Sequence, residues 1–103
     1  LALVDDARAL EAAGCFSIVV EGVPDEVGRM ITDAVDVPTI GIGAGPDCDG
    51  QVLVLHDVLG LSESTFRFTK HYAELRAAAI AATGDYVREV RDGSWPDDDH
   101  SFH

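Results

Sequence analysis

The sequence predicts an α/β protein with a parallel β-sheet. Short runs of β-branched and small apolar residues, typical of buried strands, alternate with stretches whose apolar residues recur at helical spacing. This alternation is typical of βαβ units, in which the strands run parallel. Because three strands are few for such a sheet and leave two edges to be covered, we expect the chain to be the last part of a larger α/β domain.

The first predicted helix and strand lead directly to a carboxylate. Between residues 1 and 13 apolar residues recur every three or four positions, and Gly14 is a typical residue to follow the end of a helix. Residues 15–20 are too few and too β-branched for a helix, so we interpret them as a buried strand. The apolar run ends abruptly at Glu21.

A second helix and a second strand follow. Pro24 suits a first helical turn, and the helical pattern continues to about residue 35. Residues 36–38 end it, because a residue that precedes a proline avoids the α conformation. Residues 39–42 are predicted as the second strand, and 43–50 form a loop rich in glycine.

The last part of the chain is expected to contain one strand and one long helix. Residues 51–55 are predicted as the third strand, followed directly by His56 and Asp57. Apolar periodicity predicts a helix from about 66 to 92, with a possible break near Gly84. The whole chain is expected to be one partial α/β domain ending in an irregular acidic tail, residues 97–103.

Composition narrows the range of partners and of cellular locations. Seven basic and 19 acidic residues give a net charge of −12, which argues against binding to nucleic acid or to an anionic membrane surface. No apolar stretch approaches the roughly 20 residues that a membrane-spanning helix needs. We expect no disulfide between Cys15 and Cys48 and no signal peptide, and a cytoplasmic location is the default expectation.

The glycine-rich segment 41–46 does not match a nucleotide-binding motif. Pro46 stands where G-x-G-x-x-G requires its third glycine, and no GK[ST] sequence follows. We therefore expect these glycines to allow close approach of the backbone to a ligand or a neighbouring strand.

Two pairs of polar residues have side chains of the metal-ligating type. Asp47 and Asp49 precede the third predicted strand, whereas His56 and Asp57 follow it, so roughly 15 Å of strand separates the pairs. One metal ion cannot use both pairs, and loop and capping roles are the preferred interpretation. The histidines of the acidic tail are expected to be solvated.

Glu21 is the candidate catalytic residue. The carboxyl ends of parallel strands meet at one edge of a sheet, where α/β proteins place their chemistry. Glu21, the Gly43 loop and His56 are therefore expected to gather there, with Glu21 as a catalytic base. The alternative is a solvated glutamate that opens a loop. No G-x-S-x-G elbow supports a serine nucleophile.

Several ordered segments resemble the ketopantoate hydroxymethyltransferase family. They are EAAGCFSIVVEGVP (11–24), PTIGIGAGP (38–46), CDGQVLV (48–54) and HDVLGL (56–61), followed by Phe66, Lys70, Tyr72, Tyr86, 89–91 and 95–96. The resemblance covers essentially the whole chain, and its stretch from 38 to 61 is far longer than a short motif.

The resemblance implies the C-terminal part of a (βα)8 barrel. It implies an enzyme of pantothenate and coenzyme A synthesis that transfers a hydroxymethyl group from 5,10-methylenetetrahydrofolate to 3-methyl-2-oxobutanoate, giving 2-dehydropantoate. It also implies dependence on Mg2+, a homo-oligomer, and Glu21 as the general base. The family's metal-binding carboxylates belong to an earlier half of the barrel, so no metal ligand is assigned in this chain and the chain alone is expected to be inactive.

Two alternatives to this interpretation remain open. The chain could be a non-catalytic or degenerate α/β barrel fragment that needs a partner to fold. It could also belong to an unrelated barrel enzyme that places a base at the same strand end.

Overall fold

The computed structural model describes residues 1–63 and 66–103 as an α/β fold with parallel strands. In chain order its elements are α1 (Ala2–Ala12), β1 (Ile18–Glu21), α2 (Asp25–Ala34), β2 (Thr39–Ile42), β3 (Gly50–Gln51), α3 (Leu55–Val58), α4 (Leu75–Asp92) and a 3-10 turn at Asp98–His100.

The three strands form one parallel sheet in the order β1-β2-β3, which confirms the predicted parallel pairing. Glu21 at the end of β1 is level with Ile42 at the end of β2. Gly41 is level with Gln51 in β3. The carboxyl ends of all three strands therefore lie at the same edge of the sheet.

The hydrophobic core lies between one face of the sheet and the first two helices. Within β1, Ile18 and Val20 are buried, while Val19 and Glu21 between and after them are exposed. This alternation places Ile18 and Val20 on the helix side of the strand. The buried core residues are Val4 and Ala7 of α1, Ile18 and Val20 of β1, Ile31 of α2, and Val35 and Ala44 in the following loops.

The opposite face of the sheet is open. Val19 is 59% exposed on this face, and Val52, just past β3, is 48% exposed. Parallel sheets are usually covered on both faces, so a face with this much exposed apolar surface lacks its usual packing partner.

The third strand is shorter than predicted. It comprises Gly50–Gln51 rather than residues 51–55. The Val52 amide still donates to the Gly41 carbonyl (3.0 Å), but beyond Ile42 the second strand turns away at Gly43, whose φ is +64°. Residues 53–55 thus lose their pairing partner, and the chain enters α3 at Leu55.

The last long helix also differs from its prediction. It begins at Leu75 rather than near residue 66, and it continues through Gly84 without a break. The preceding segment is rich in aromatic residues and folds instead into turns, in which the Thr69 amide and hydroxyl both donate to the Phe66 carbonyl. Hydrogen bonds from the Tyr72 amide to Val58 and from the Leu75 amide to Leu59 then dock it on α3.

Three smaller predictions can be compared directly. The first strand begins at Ile18 rather than at residue 15. Helix α2 ends at Ala34, next to the predicted break. Cys15 and Cys48 are both free thiols, as expected.

Within the described ranges, 1–63 and 66–103, no helix is long and apolar enough to cross a bilayer.

Candidate functional site

Glu21 is the last residue of β1, at the edge where the strands end. The Gly22 amide donates to the Ile42 carbonyl (2.9 Å), so the backbone just after Glu21 remains tied to β2. Gly22 then adopts a φ of +64°, which turns the chain towards α2. The carboxylate of Glu21 is exposed and lies on the same face as Val19, the open face of the sheet.

The loop that follows β2 packs tightly against α2. A side chain at Gly28 would place its Cβ 2.2 Å from the Ala44 carbonyl oxygen. A side chain at Gly45 would place its Cβ 2.3 Å from the Cβ of Asp25. The glycines do allow close backbone approach, as the sequence suggested, but here the neighbours are a helix and, at Gly43, an aromatic ring.

That aromatic ring belongs to Phe68. A Cβ at Gly43 would lie 2.9 Å from two carbon atoms of the Phe68 side chain, so the ring rests directly on the loop at the end of β2. The Phe66 ring stacks on Phe68 with centroids 5.6 Å apart. Sequence patterns assigned this segment to a helix and missed its position beside the strand ends. Its signal was a cluster of aromatic residues with a low helix propensity, directly before an alanine-rich stretch.

A cavity of about 280 Å³ lies past the ends of β2 and β3. It is lined by Gly43, Gln51, Val52, Leu53, Val58, Phe68 and Tyr72. The Gln51 amide donates to the Gly45 carbonyl (2.9 Å), which fixes that side chain at the cavity.

Asp49 has a structural role. Its carboxylate accepts hydrogen bonds from the backbone amide (2.9 Å) and the hydroxyl (3.3 Å) of Thr39. The Asp49 amide donates in turn to the Thr39 hydroxyl (3.2 Å). Asp49 therefore ties the approach to β3 to the first residue of β2, which agrees with the preferred loop role.

His56 and Asp57 lie on α3 rather than at the end of a strand. His56 is exposed, and neither a hydrogen bond nor an ion pair joins its ring to Glu21. Asp57 is buried and accepts a hydrogen bond from the Ser62 hydroxyl, so it holds the turn that follows α3. The expected proximity of Glu21 and the Gly43 loop is observed, whereas His56 lies on α3 and forms no hydrogen bond or ion pair with Glu21.

The donor set for a magnesium ion is not found in this segment. Among residues 1–63 and 66–103, no three histidine, cysteine, aspartate or glutamate side chains come together as a metal site. In the tail, His100 binds Asp97 at 2.5 Å and His103 lies 3.5 Å from Asp98. The dependence on Mg2+ that the family resemblance implies therefore stays a prediction, with its ligands expected outside this segment.

A parallel α/β sheet with a carboxylate at the carboxyl end of a strand is the arrangement in which α/β enzymes place their reacting groups. Comparison with known proteins makes the assignment specific. A profile of the ketopantoate hydroxymethyltransferase family matches residues 1–98, and the chain belongs to this family.

Three relatives illustrate how far the similarity extends, and each is named 3-methyl-2-oxobutanoate hydroxymethyltransferase. The protein of Anaeromyxobacter sp. (strain K) is 58% identical over 102 residues, which are 98% of this chain and 33% of the relative. That of Pelobacter propionicus is 54% identical over 97% of this chain and 38% of the relative. That of Pyrobaculum aerophilum is 53% identical over 95% and 37%. The chain therefore spans about a third of the relatives' length.

Proposed function

We propose that this segment supplies the general base of a ketopantoate hydroxymethyltransferase. The reaction transfers a hydroxymethyl group from 5,10-methylenetetrahydrofolate to 3-methyl-2-oxobutanoate, giving 2-dehydropantoate for pantothenate synthesis. Membership of the family supports the reaction, and the position of Glu21 at the carboxyl end of β1 supports the role of the base.

The chemistry suits an exposed carboxylate at a strand end. Glu21 removes the proton from the carbon next to the ketone of the keto acid, and the enolate carbon so formed takes the one-carbon unit. Water supplies the hydroxyl oxygen, and tetrahydrofolate leaves. The exposed carboxylate has room on the open face of the sheet for a substrate carbon to approach.

The open face also supports the proposal that the sheet belongs to a (βα)8 barrel. Helices α1 and α2 cover one face, as helices cover the outside of a barrel. Val19 and Glu21 point to the other face, which would be the barrel interior. Further strands would cover Val19, and residues outside this segment would supply the magnesium ligands.

The proposal is tested by Glu21→Gln in the complete protein that carries this segment. The amide keeps the shape of the side chain but cannot take a proton, so turnover should fall by about 10²–10⁴-fold. The rate at which the keto acid's C3 proton exchanges in D2O, measured by proton NMR in the absence of folate, should fall by a similar factor.

Glu89→Gln is the matched control, because Glu89 is exposed on α4. This variant should retain both rates, and circular dichroism should show that both variants are folded. If a folded Glu21→Gln protein exchanged the proton at the wild-type rate, Glu21 would not be the base.

A further inference from the structure

We propose that the cavity beside Glu21 binds the pterin ring of the folate co-substrate, with Phe68 and Tyr72 as its aromatic walls. The proposal rests on the proposed function, since it identifies where the one-carbon donor of that reaction lies.

The position of the cavity fits the chemistry. Gly43 lines the cavity and directly follows Ile42, which is the register partner of Glu21. The cavity thus begins at the end of the strand that neighbours the one ending in Glu21, about 4.8 Å away between backbones, and extends past the end of β3. The donor carries its one-carbon unit on the pterin, and that carbon must reach the atom from which Glu21 takes the proton. The pterin must therefore lie close to Glu21.

The lining of the cavity suits a flat aromatic ring. Val52, Leu53 and Val58 provide apolar surface, and Phe68 and Tyr72 provide aromatic rings. Ring systems stack favourably on such side chains. The volume of about 280 Å³ lies just below the roughly 300–1,000 Å³ of pockets that hold a whole drug-sized ligand. The cavity thus suits the ring part of a folate, with the remainder outside.

The fold positions the Phe68 ring and the backbone of Tyr72. Phe68 rests on Gly43, where no Cβ would fit. The Tyr72 amide donates to the Val58 carbonyl (2.8 Å), which anchors the backbone of this residue to α3 and leaves its ring 71% exposed for a ligand to cover. Walls that are already positioned lose little conformational freedom when a ligand binds.

A positive charge stands next to the cavity. The ammonium of Lys70 lies 4.7 Å from the centroid of the Tyr72 ring, and Lys70 is the only lysine of the sequence. The chain carries a net charge of −12, which repels an anionic ligand. The carboxylates of the folate tail, which extend away from the pterin, would meet this lysine where the tail leaves the cavity.

The test compares Phe68→Leu and Tyr72→Leu with the control Phe16→Leu in the complete protein. Phe16 is 88% exposed before β1, so its loss should change little. Each wall variant should raise the KM for 5,10-methylenetetrahydrofolate about tenfold, as expected for loss of one stacking contact. The KM for the keto acid should stay within twofold, and C3 proton exchange without folate should keep its wild-type rate. Phe68→Tyr retains an aromatic ring and should restore the wild-type KM for the folate.

The outcomes separate this proposal from the function on which it rests. An unchanged folate KM in folded wall variants would overturn the pterin site, even if Glu21→Gln abolishes proton exchange. If the exchange rate fell and both KM values rose by similar factors, the two rings would have a structural role, and this result would overturn the site as well. If Phe68→Leu does not fold, Tyr72→Leu decides by the same measurements, because Tyr72 is 71% exposed and outside the hydrophobic core. Absence of exchange in the wild-type protein would instead count against the proposed function.

Discussion

At the scale of single residues, Thr39 shows how a polar group can organise a sheet from within. It is fully buried, and its hydroxyl lies 2.8 Å from the Thr32 hydroxyl and 3.2 Å from the Asp49 amide. Thr32 in turn donates to the Gly28 carbonyl (2.8 Å), so the chain of hydrogen bonds links α2, β2 and the approach to β3. Buried polar groups that are fully paired in this way fix one arrangement of the elements around them.

Replacing Thr39 by valine should therefore be costly. The change keeps the shape of the side chain but leaves the Asp49 amide and the Thr32 hydroxyl without this partner, which should lower the free energy of unfolding by about 1–3 kcal/mol. Urea denaturation of the complete protein measures the effect. Asp33→Asn on the exposed side of α2 is the control and should cost no more than about 0.5 kcal/mol. Equal costs at the two sites would show that the buried network adds nothing.

Asp92, the last residue of α4, provides a prediction on pH. The Ser94 hydroxyl (2.6 Å) and amide (2.9 Å) both donate to its carboxylate, and these bonds hold the pKa of Asp92 below its ordinary value of 3.8. Because the pKa is lower in the folded protein, the contribution to stability is present above the unfolded pKa and is lost as the pH falls through the folded one. A carbon-13 NMR titration should give a midpoint below 3.8.

Ser94→Ala tests the cause of this shift. It removes the hydroxyl bond, so the midpoint of Asp92 should rise towards the ordinary value. A midpoint unaffected by the substitution would show that the hydroxyl is not the main cause.

At the scale of elements, the sequence predicted the early helices and strands well because their patterns agree with their packing. The helix over 25–35 and the strand over 39–42 are observed with nearly the same bounds, since an amphipathic period and a β-branched run each match a half-buried element. Glu21 could also be placed, because parallel pairing fixes which strand ends meet.

The later elements could not be predicted from local patterns, because tertiary contacts decide them. The third strand stops where β2 turns away at Gly43. The long helix begins only after the aromatic segment, which is docked on α3. The position of Phe68 against Gly43 follows from that docking. No periodicity in the sequence encodes such a contact, so the cavity beside Glu21 appears only in the structure.

Two glycine-to-alanine changes should have opposite effects on their helices. In α2, a Cβ at Gly28 would lie 2.2 Å from the Ala44 carbonyl oxygen, so the helix must move away from the loop that follows β2. In α4, a Cβ at Gly84 meets no atom within 4 Å. Gly28→Ala should therefore lower the melting temperature, whereas Gly84→Ala should raise it through a gain in helix propensity of about 1 kcal/mol. Thermal unfolding followed by circular dichroism measures both, and a neutral Gly28→Ala would contradict the close approach.

At the scale of the whole molecule, the segment leaves two apolar surfaces without a partner. One is the open face of the sheet, where Val19 is 59% exposed. The other is α4, which has no buried residue although Ile80, Tyr86 and Val90 are spaced along it. The molecule is correspondingly elongated, measuring 69 × 27 × 16 Å. Surfaces of this kind are normally covered by other parts of a protein or by a partner.

The isolated 103-residue chain should therefore differ from the complete protein in two measurements. It should bind the hydrophobic dye ANS, because the open sheet face and α4 offer exposed apolar surface, whereas the complete protein should bind little. It should also form no ketopantoate, because it spans only about a third of the length of its relatives and the proposed barrel needs the remaining strands to complete the site. Adding the missing part of the family sequence as a second chain should suppress dye binding and restore turnover together, because both depend on covering the same sheet face. Ketopantoate formation by the isolated chain would refute this view, and so would dye binding that persists after the second chain has restored turnover.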